Sequence, residues 1–227
     1  MSHQDNIKKI KTVFDTLEEL QDQVVFVGGA TVSLYDQTEA LEVRETKDVD
    51  VIIEITKYSE QGGFEEQLRA KGFVDDVKSP VRGRFKIKGI IVDVMPTSDL
   101  HMGFENKWYP EGYKNAIEYV IDKNTTIKIL SAPYFIATKL EAFKNRGRKD
   151  GRMSHDFEDI VHVFEYRLDI WEEMKQTNKN LRRYLQDEFK ALKSNSNIRE
   201  WIDCHADFGS PPPTDNILYE LEKFIKG

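Results

Sequence analysis

Cysteine is nearly missing from this chain: Cys204 is the only one in 227 residues. That excludes an intramolecular disulfide framework and any multi-cysteine zinc or iron–sulfur centre, so the hydrophobic core must supply the stability. Nothing in the sequence around Cys204 marks it as an activated thiol. No run approaches the roughly 18 consecutive apolar residues that cross a bilayer. The polar stretch from Met1 to Thr12 has no apolar centre of the kind a signal peptide needs, so the chain is expected in the cytoplasm, away from membranes. Positive charge is in deficit as well, with 33 Lys and Arg against 40 Asp and Glu, a formal net charge of −7. That balance excludes an indiscriminate coat for DNA. Internal repeats and low-complexity tracts are absent. With 39% hydrophobic and 32% charged residues, what is present is a globular chain of one large domain or two small ones.

Apolar spacing then divides the chain. Ile7, Ile10, Val13, Phe14, Leu17 and Leu20 recur at intervals of three and four, which predicts an amphipathic helix over residues 3–23. The β-branched run Val24-Val25-Phe26-Val27 predicts a strand that stops at Gly28-Gly29, with a helix starting over Ala30 to Tyr35. A second strand is expected over Val49 to Ile55, and a helix over Phe64 to Lys71 ended by Gly72. Two or three strands are expected between Phe73 and Val94, with Lys88-Gly89 as a hairpin turn. Residues 97–125 read as loop, and Thr126 to Leu130 as a short strand. From Ser131-Ala132-Pro133, a cap residue and a first-turn proline, everything reads as helix. The expected segments are Tyr134 to Lys144, Ser154 to Tyr166, Ile170 to Lys175, Leu181 to Leu192, Ile198 to His205 and Ile217 to Ile225, with a break at Gly209-Ser210-Pro211-Pro212-Pro213. The fold class is therefore α+β over residues 1–130, followed by an all-helical half over 131–227.

The informative stretch is Thr46-Lys47-Asp48-Val49-Asp50-Val51-Ile52-Ile53. In an extended chain residues i and i+2 point the same way, roughly 6.6 Å apart, so Asp48 and Asp50 face one site. Two carboxylates side by side call for a cationic partner, and hard divalent ions such as Mg²⁺ are bound by oxygen. Ile90-Ile91-Val92-Asp93-Val94 offers a third acid inside an apolar strand, where burial without compensation would be costly. Gly28-Gly29 allows backbone amides to come close to phosphates, with a helix start aimed at the same point. The pair is neither a Walker loop nor a dinucleotide fingerprint.

The order of strand, Gly28-Gly29, helix, Asp48-x-Asp50 and a later Asp93 resembles the nucleotidyltransferase superfamily typified by DNA polymerase β, over about Val24 to Val94. A narrower resemblance comes from the second half. Ala137-Thr138-Lys139-Leu140-Glu141-Ala142-Phe143, a basic loop, and His155-Asp156-Phe157-Glu158-Asp159-Ile160 are similar to the later motifs of AbiEii-type nucleotidyltransferases. In this chain Arg148-Lys149-Asp150 is separated from Asp156-x-x-Asp159 by Gly151 to His155, a departure from the family's contiguous pattern. The resemblance implies a small mixed β-sheet palm with flanking helices over 1–130, and a helical domain over 131–227 that contributes to nucleotide and acceptor binding.

It also implies an activity, the transfer of a nucleoside monophosphate from an NTP to a hydroxyl of RNA (tRNA-like) or protein. Asp48, Asp50 and Asp93 would be catalytic and would bind two Mg²⁺ ions, with Mn²⁺ as a substitute. Gly28, Gly29, Arg44, Thr46, Lys139 and Asp156 would bind the nucleotide. The same resemblance points to a toxin or phage-defence enzyme with a cognate antitoxin. Residues 139–152 hold six positive and two negative charges, a patch suited to a triphosphate or an RNA backbone. An alternative within the same palm is a nucleotidyltransferase that modifies an aminoglycoside or lincosamide antibiotic. A further alternative is an inactive nucleotide-binding module.

Overall fold

The computed structural model describes residues 2–38, 43–55, 58–98, 106–146, 150–207 and 213–227. The chain forms two compact units, one of Met1–Leu34 with Glu42–Ser131, the other of Tyr35–Leu41 with Ala132–Gly227.

The first unit is built on a seven-stranded mixed sheet. Helix α1 (Ser2–Leu17) buries Ile10, Val13 and Leu17 and packs on strands of that sheet. It ends at Leu17, short of the expected residue 23, because Glu18 takes a left-handed φ of 49° and Glu18–Gln23 tightens into a 3-10 turn. Strand β1 (Val24–Val27) is buried at every position, as a central strand covered on both faces must be. Gly28 then turns the chain at φ 73°. The expected helix after it is a 3-10 segment, Gly29–Tyr35. Both the amide and the hydroxyl of Thr31 bond to the Gly28 carbonyl, at 3.3 and 2.9 Å, the three-residue spacing of a 3-10 turn.

Strand β2 (Asp48–Ile53) follows, then α2 (Tyr58–Ala70), which starts six residues earlier than its apolar pattern suggests. Strands β3 (Val74–Asp75), β4 (Arg84–Ile87) and β5 (Ile90–Pro96) come next. Lys88 and Gly89, at φ 49° and 82°, make the tight turn expected between β4 and β5. The region read as loop contains α3 (Tyr109–Lys114) and β6 (Ile117–Asp122), ahead of β7 (Thr125–Ile129). Strand β6 lies at the sheet edge with no buried residue, and Ile117, Tyr119 and Ile121 alternate with Glu118 and Asp122, a short strand pattern inside the stretch read as loop. The strand order is β3-β4-β5-β2-β1-β7-β6. Strands β2 and β5 run parallel, and both β1 and β4 are antiparallel to the neighbours they share with that pair. One face of the β4-β5-β2 section is apolar, with Phe85, Ile87, Val92, Val94, Val49 and Val51 buried. The intervening residues point to the other face.

The second unit contains α4 (Ala132–Arg146), α5 (His155–Tyr166), α6 (Ile170–Gln176), α7 (Lys179–Lys193), α8 (Ile198–Asp203) and α9 (Pro213–Lys226). Helix α4 is buried on nearly every side, the mark of a central helix. Ser154 caps α5, accepting from the Phe157 amide, and Asn178 caps α7 through the Asn180 and Leu181 amides. Two aromatic clusters fill the interior. Phe143, Phe157 and Trp201 meet at 5.4–5.9 Å, and Phe164, Trp171, Phe189 and Phe224 meet at 4.5–6.5 Å.

Tyr35 to Thr38 belong to this unit although the chain reaches them early. The Gln37 amide donates to the Tyr166 carbonyl at 2.9 Å, and the Gln37 side chain exchanges two hydrogen bonds with Asp169. Asp36 pairs with His162 at 2.8 Å, and Arg167 donates to the Tyr35 carbonyl at 3.0 Å. Of the expected break at 209–213, residues 209–212 lie outside the described residues, and Pro213 opens α9.

Candidate active site

Register places the three acids. Asp50 is the partner of Asp93 across the parallel β2–β5 pair, and Asp48 lies two residues before Asp50 on the same side of its strand. All three therefore face away from the apolar side. Arg84, on β4, is the antiparallel partner of Asp93. Asp50, Asp93 and Arg84 thus form one cross-strand row, and Asp48, Ile91 and Lys86 the next.

Arg84 binds Asp93 in a bidentate fork, Nε to Oδ1 and a terminal nitrogen to Oδ2, both at 2.7 Å, and the same terminal nitrogen lies 3.4 Å from Asp48 Oδ2. Its hydrogen bonds to Asp93 push the guanidinium pKa above its ordinary value. Burial opposes this, and the charges of Asp93, Asp48 and Asp50 reinforce it. Asp93 is 7% exposed, so the fork supplies the compensation that an acid in an apolar strand requires. Arg84 was not among the residues the sequence singled out. Its signal was the alternation Arg84-Phe85-Lys86-Ile87, which reads equally as the solvated face of any half-buried strand.

Gly28 completes this side of the sheet. It follows Val27, the antiparallel partner of Asp50, and a Cβ built on it would fall 1.9 Å from Asp50 Oδ2. Only a glycine lets the Asp50 carboxylate lie against the β1 turn. Gly29 opens the 3-10 segment beside it.

Thr46 is buried, and its hydroxyl lies 3.2 Å from Asn6 Oδ1 and 3.1 Å from the Asp48 carbonyl. The fully buried Asn6 also accepts from the Thr46 amide and donates to the Arg44 carbonyl. Thr46 thus anchors the start of β2 to α1. Arg44 is half-buried.

In the second unit, Lys139 and Asp156 are joined. Lys139 Nζ lies 2.5 Å from Asp159 Oδ2 and 3.5 Å from Asp156 Oδ1, and all three side chains are buried. Arg146 adds a fork to Asp156 at 2.7 and 2.9 Å. Burial would raise the Asp156 pKa, but Arg146 and Lys139 together hold it below its ordinary value. Asp159, three residues after Asp156, holds the Lys139 ammonium. Among the described residues the other cations of the basic stretch are also paired. Lys144 contacts Glu141 and Glu188, and Arg152 contacts Asp150 and Glu200. Arg148 and Lys149 lie outside the described residues. His155 pairs with Glu158 on an exposed surface.

A divalent cation needs oxygen donors. Asp48 and Asp50 fit that need, lying on one side of β2 with Gly28 leaving room at Asp50. Asp93 lies in register beside Asp50, each of its oxygens accepting from Arg84 with a lone pair to spare. No cluster of three or more His, Cys, Asp or Glu side chains able to hold a metal ion occurs among the described residues.

Glycine turn, paired aspartates on the next strand and a third aspartate in register thus lie together on one side of a mixed sheet. The sequence pattern of the family described as "Nucleotidyl transferase AbiEii toxin, Type IV TA system" matches residues 13–218. The chain belongs to that family and is a nucleotidyltransferase of the toxin–antitoxin class. No curated protein sequence matches it. No helix among the described residues is long and apolar enough to cross a membrane.

Proposed function

We propose that the chain moves a nucleoside monophosphate from an NTP to a hydroxyl of RNA or protein, with Mg²⁺ as the preferred ion and Mn²⁺ as a substitute. A cognate antitoxin restrains it. The observation that carries this reading is the Asp50–Asp93–Arg84 row with Asp48 beside it, closed at one end by Gly28. The acceptor oxygen attacks the α-phosphorus, the bond to the bridging oxygen of the β-phosphate breaks, and pyrophosphate leaves. Bound divalent ions would neutralise charge on the reacting phosphate and its leaving group.

The protein's own part is positioning. Asp48 and Asp50 would hold the ions, and Gly28 and Gly29 let the chain approach the phosphates closely. Thr46, through Asn6, fixes the start of the strand that carries both acids, and Arg44 adds positive charge beside it. Asp93 receives the acceptor's proton on a lone pair that Arg84 leaves free, while the guanidinium keeps the carboxylate aimed. In the helical unit Arg146 and Lys139 hold Asp156, and Asp159 holds the Lys139 ammonium.

The test is label transfer. Wild type, Asp48→Asn and Asp50→Asn are incubated with each α-labelled NTP, Mg²⁺, and total RNA or total protein. Wild type is expected to label one of the two pools, and each variant to lose that labelling by roughly 100-fold or more. Undiminished labelling by either variant would refute the assignment.

A further inference from the structure

Three carboxylates and one guanidinium crowd one side of the β4-β5-β2 section. Asp48 and Asp50 stand about 6.6 Å apart along β2, Asp93 is level with Asp50 on β5, and Arg84 is level with Asp93 on β4. Arg84 does not stop at its cross-strand partner. The terminal nitrogen that donates to Asp93 Oδ2 at 2.7 Å also lies 3.4 Å from Asp48 Oδ2, one row on and one strand farther away. That nitrogen stands between two of the acids, and the charge of the third, Asp50, acts on the same guanidinium. With its side chain 21% exposed, Arg84 is only partly screened by water.

The next cation on the strand behaves differently. Lys86 lies on the same side of β4 and is level with Asp48 two strands away, yet its side chain is 51% exposed and pairs with Asp76 at 2.9 Å. Burial of Asp93 calls for one cationic partner, and the fork from Arg84 supplies it. The reach to Asp48 is more than that burial requires, and it gathers acids from two strands onto one cation. The consequence falls on divalent ions. A unit positive charge weakens the binding of such an ion about 10-fold at a separation of about 6 Å, even at the dielectric of water. Arg84 leaves lone pairs on Asp93, so it tempers the site without blocking it. An NTP carries negative charges of its own, which offset the guanidinium.

We propose that Arg84 is the resident counter-cation of the acid set, gathering Asp48 and Asp93 when no divalent ion is bound and keeping the affinity for the free ion low, so that the ion enters with the NTP. Arg84 acts through the carboxylates and is a positioning residue. The part played by the NTP rests on the nucleotidyltransferase reading, whereas the opposition between guanidinium and ion does not.

The test compares the full chain with Arg84→Gln, which keeps a donor for Asp93 and loses the charge, and with Arg84→Lys, which keeps the charge and loses the fork. Lys86→Met is the control. Binding of Mn²⁺ without nucleotide is measured at pH 8 and low salt from the EPR signal of the free ion. Thermal unfolding is followed without metal, with Mg²⁺, and with Mg²⁺ plus each NTP in turn. Arg84→Gln should bind Mn²⁺ about 10-fold more tightly than wild type. Arg84→Lys should stay within about 3-fold of wild type, and so should Lys86→Met, since Lys86 lies two strands and about 10 Å from Asp48. Mg²⁺ alone should raise the Tm of Arg84→Gln and leave wild type nearly unmoved until an NTP joins it. Equal or weaker Mn²⁺ binding by Arg84→Gln would overturn the proposal, as would an equal gain in Lys86→Met. A wild type stabilised as much by Mg²⁺ alone as by Mg²⁺ with NTP would also overturn it, and that measurement needs no variant to fold. If Arg84→Gln gains Mn²⁺ affinity but wild type responds to no NTP and transfers none, the counter-cation stands and the assignment of these acids to catalysis falls.

Discussion

Replacing Gly28 with alanine tests the site at its tightest point. The new Cβ would sit 1.9 Å from Asp50 Oδ2 and 2.7 Å from its Cγ, whereas real Cβ contacts essentially never fall below 3.0 Å. The Asp50 carboxylate must therefore retreat by about 1 Å, and a misplacement of that size lowers catalytic rate by roughly 100-fold. The backbone contributes separately. Gly28 holds φ 73°, and a left-handed conformation costs an L-residue roughly 1–2 kcal/mol. Gly89 isolates the two effects, because it holds φ 82° in the β4–β5 turn and a Cβ there would meet nothing within 4 Å. Gly28→Ala and Gly89→Ala should thus lose similar stability, a fall in Tm of roughly 2–8 °C for a chain of this size. Only Gly28→Ala should lose nucleotidyl transfer. Thermal unfolding and single-turnover transfer of labelled NTP measure both quantities. Wild-type turnover in Gly28→Ala, or equal losses of turnover in the two variants, would refute the argument that Gly28 exists to seat Asp50.

Two further outcomes follow from the second unit. Lys139→Met leaves the 2%-exposed Asp159 side chain without its ammonium, and breaking a buried pair from one side costs roughly 3–5 kcal/mol. Adding Asp159→Asn should recover much of that loss in urea unfolding, and a single variant as stable as wild type would show that the pair is not structural. Burial, with the charge of Asp207 adding to it and the Asp207 amide opposing, raises the Glu165 pKa above 4.5. A raised carboxylate contributes stability below its unfolded pKa and loses it as pH rises through the folded value. Glu165→Gln should therefore unfold at a higher temperature than wild type at pH 7 and at nearly the same temperature near pH 4, and a lower Tm at pH 7 would contradict this.

The acids were legible because their strands announce themselves. Asp48-Val49-Asp50-Val51 alternates across a half-buried strand, and Asp93 interrupts an otherwise apolar one, so chemistry and periodicity coincided. Arg84 escaped notice because pairing between strands is a long-range property: nothing near residue 84 says that Asp93 is its cross-strand partner. The same limit applied to the basic stretch at 139–152, where charge counting overlooked Glu188 and Glu200, partners supplied from farther along the chain. Helix α1 ended early at the left-handed Glu18, a position with no glycine or proline to mark it. Strand β6 was missed although Ile117, Tyr119 and Ile121 alternate with Glu118 and Asp122, because six residues at an exposed edge are easily read as part of the surrounding loop.

The early position of Tyr35 to Thr38 has a consequence for how the protein is made. Their partners Tyr166, Arg167 and Asp169 emerge from the ribosome some 130 residues later, on the order of ten seconds at ordinary synthesis rates. Throughout that interval the segment has no surface of its own on which to settle. Nor could the two units be prepared as separate fragments by one cut before Ala132. The amino-terminal piece would carry away a strand of chain that the helical piece needs, leaving the Tyr166 carbonyl without the Gln37 amide and His162 without Asp36. Fragment complementation, if it succeeds, should be seen first as the return of that short segment to the end of α5.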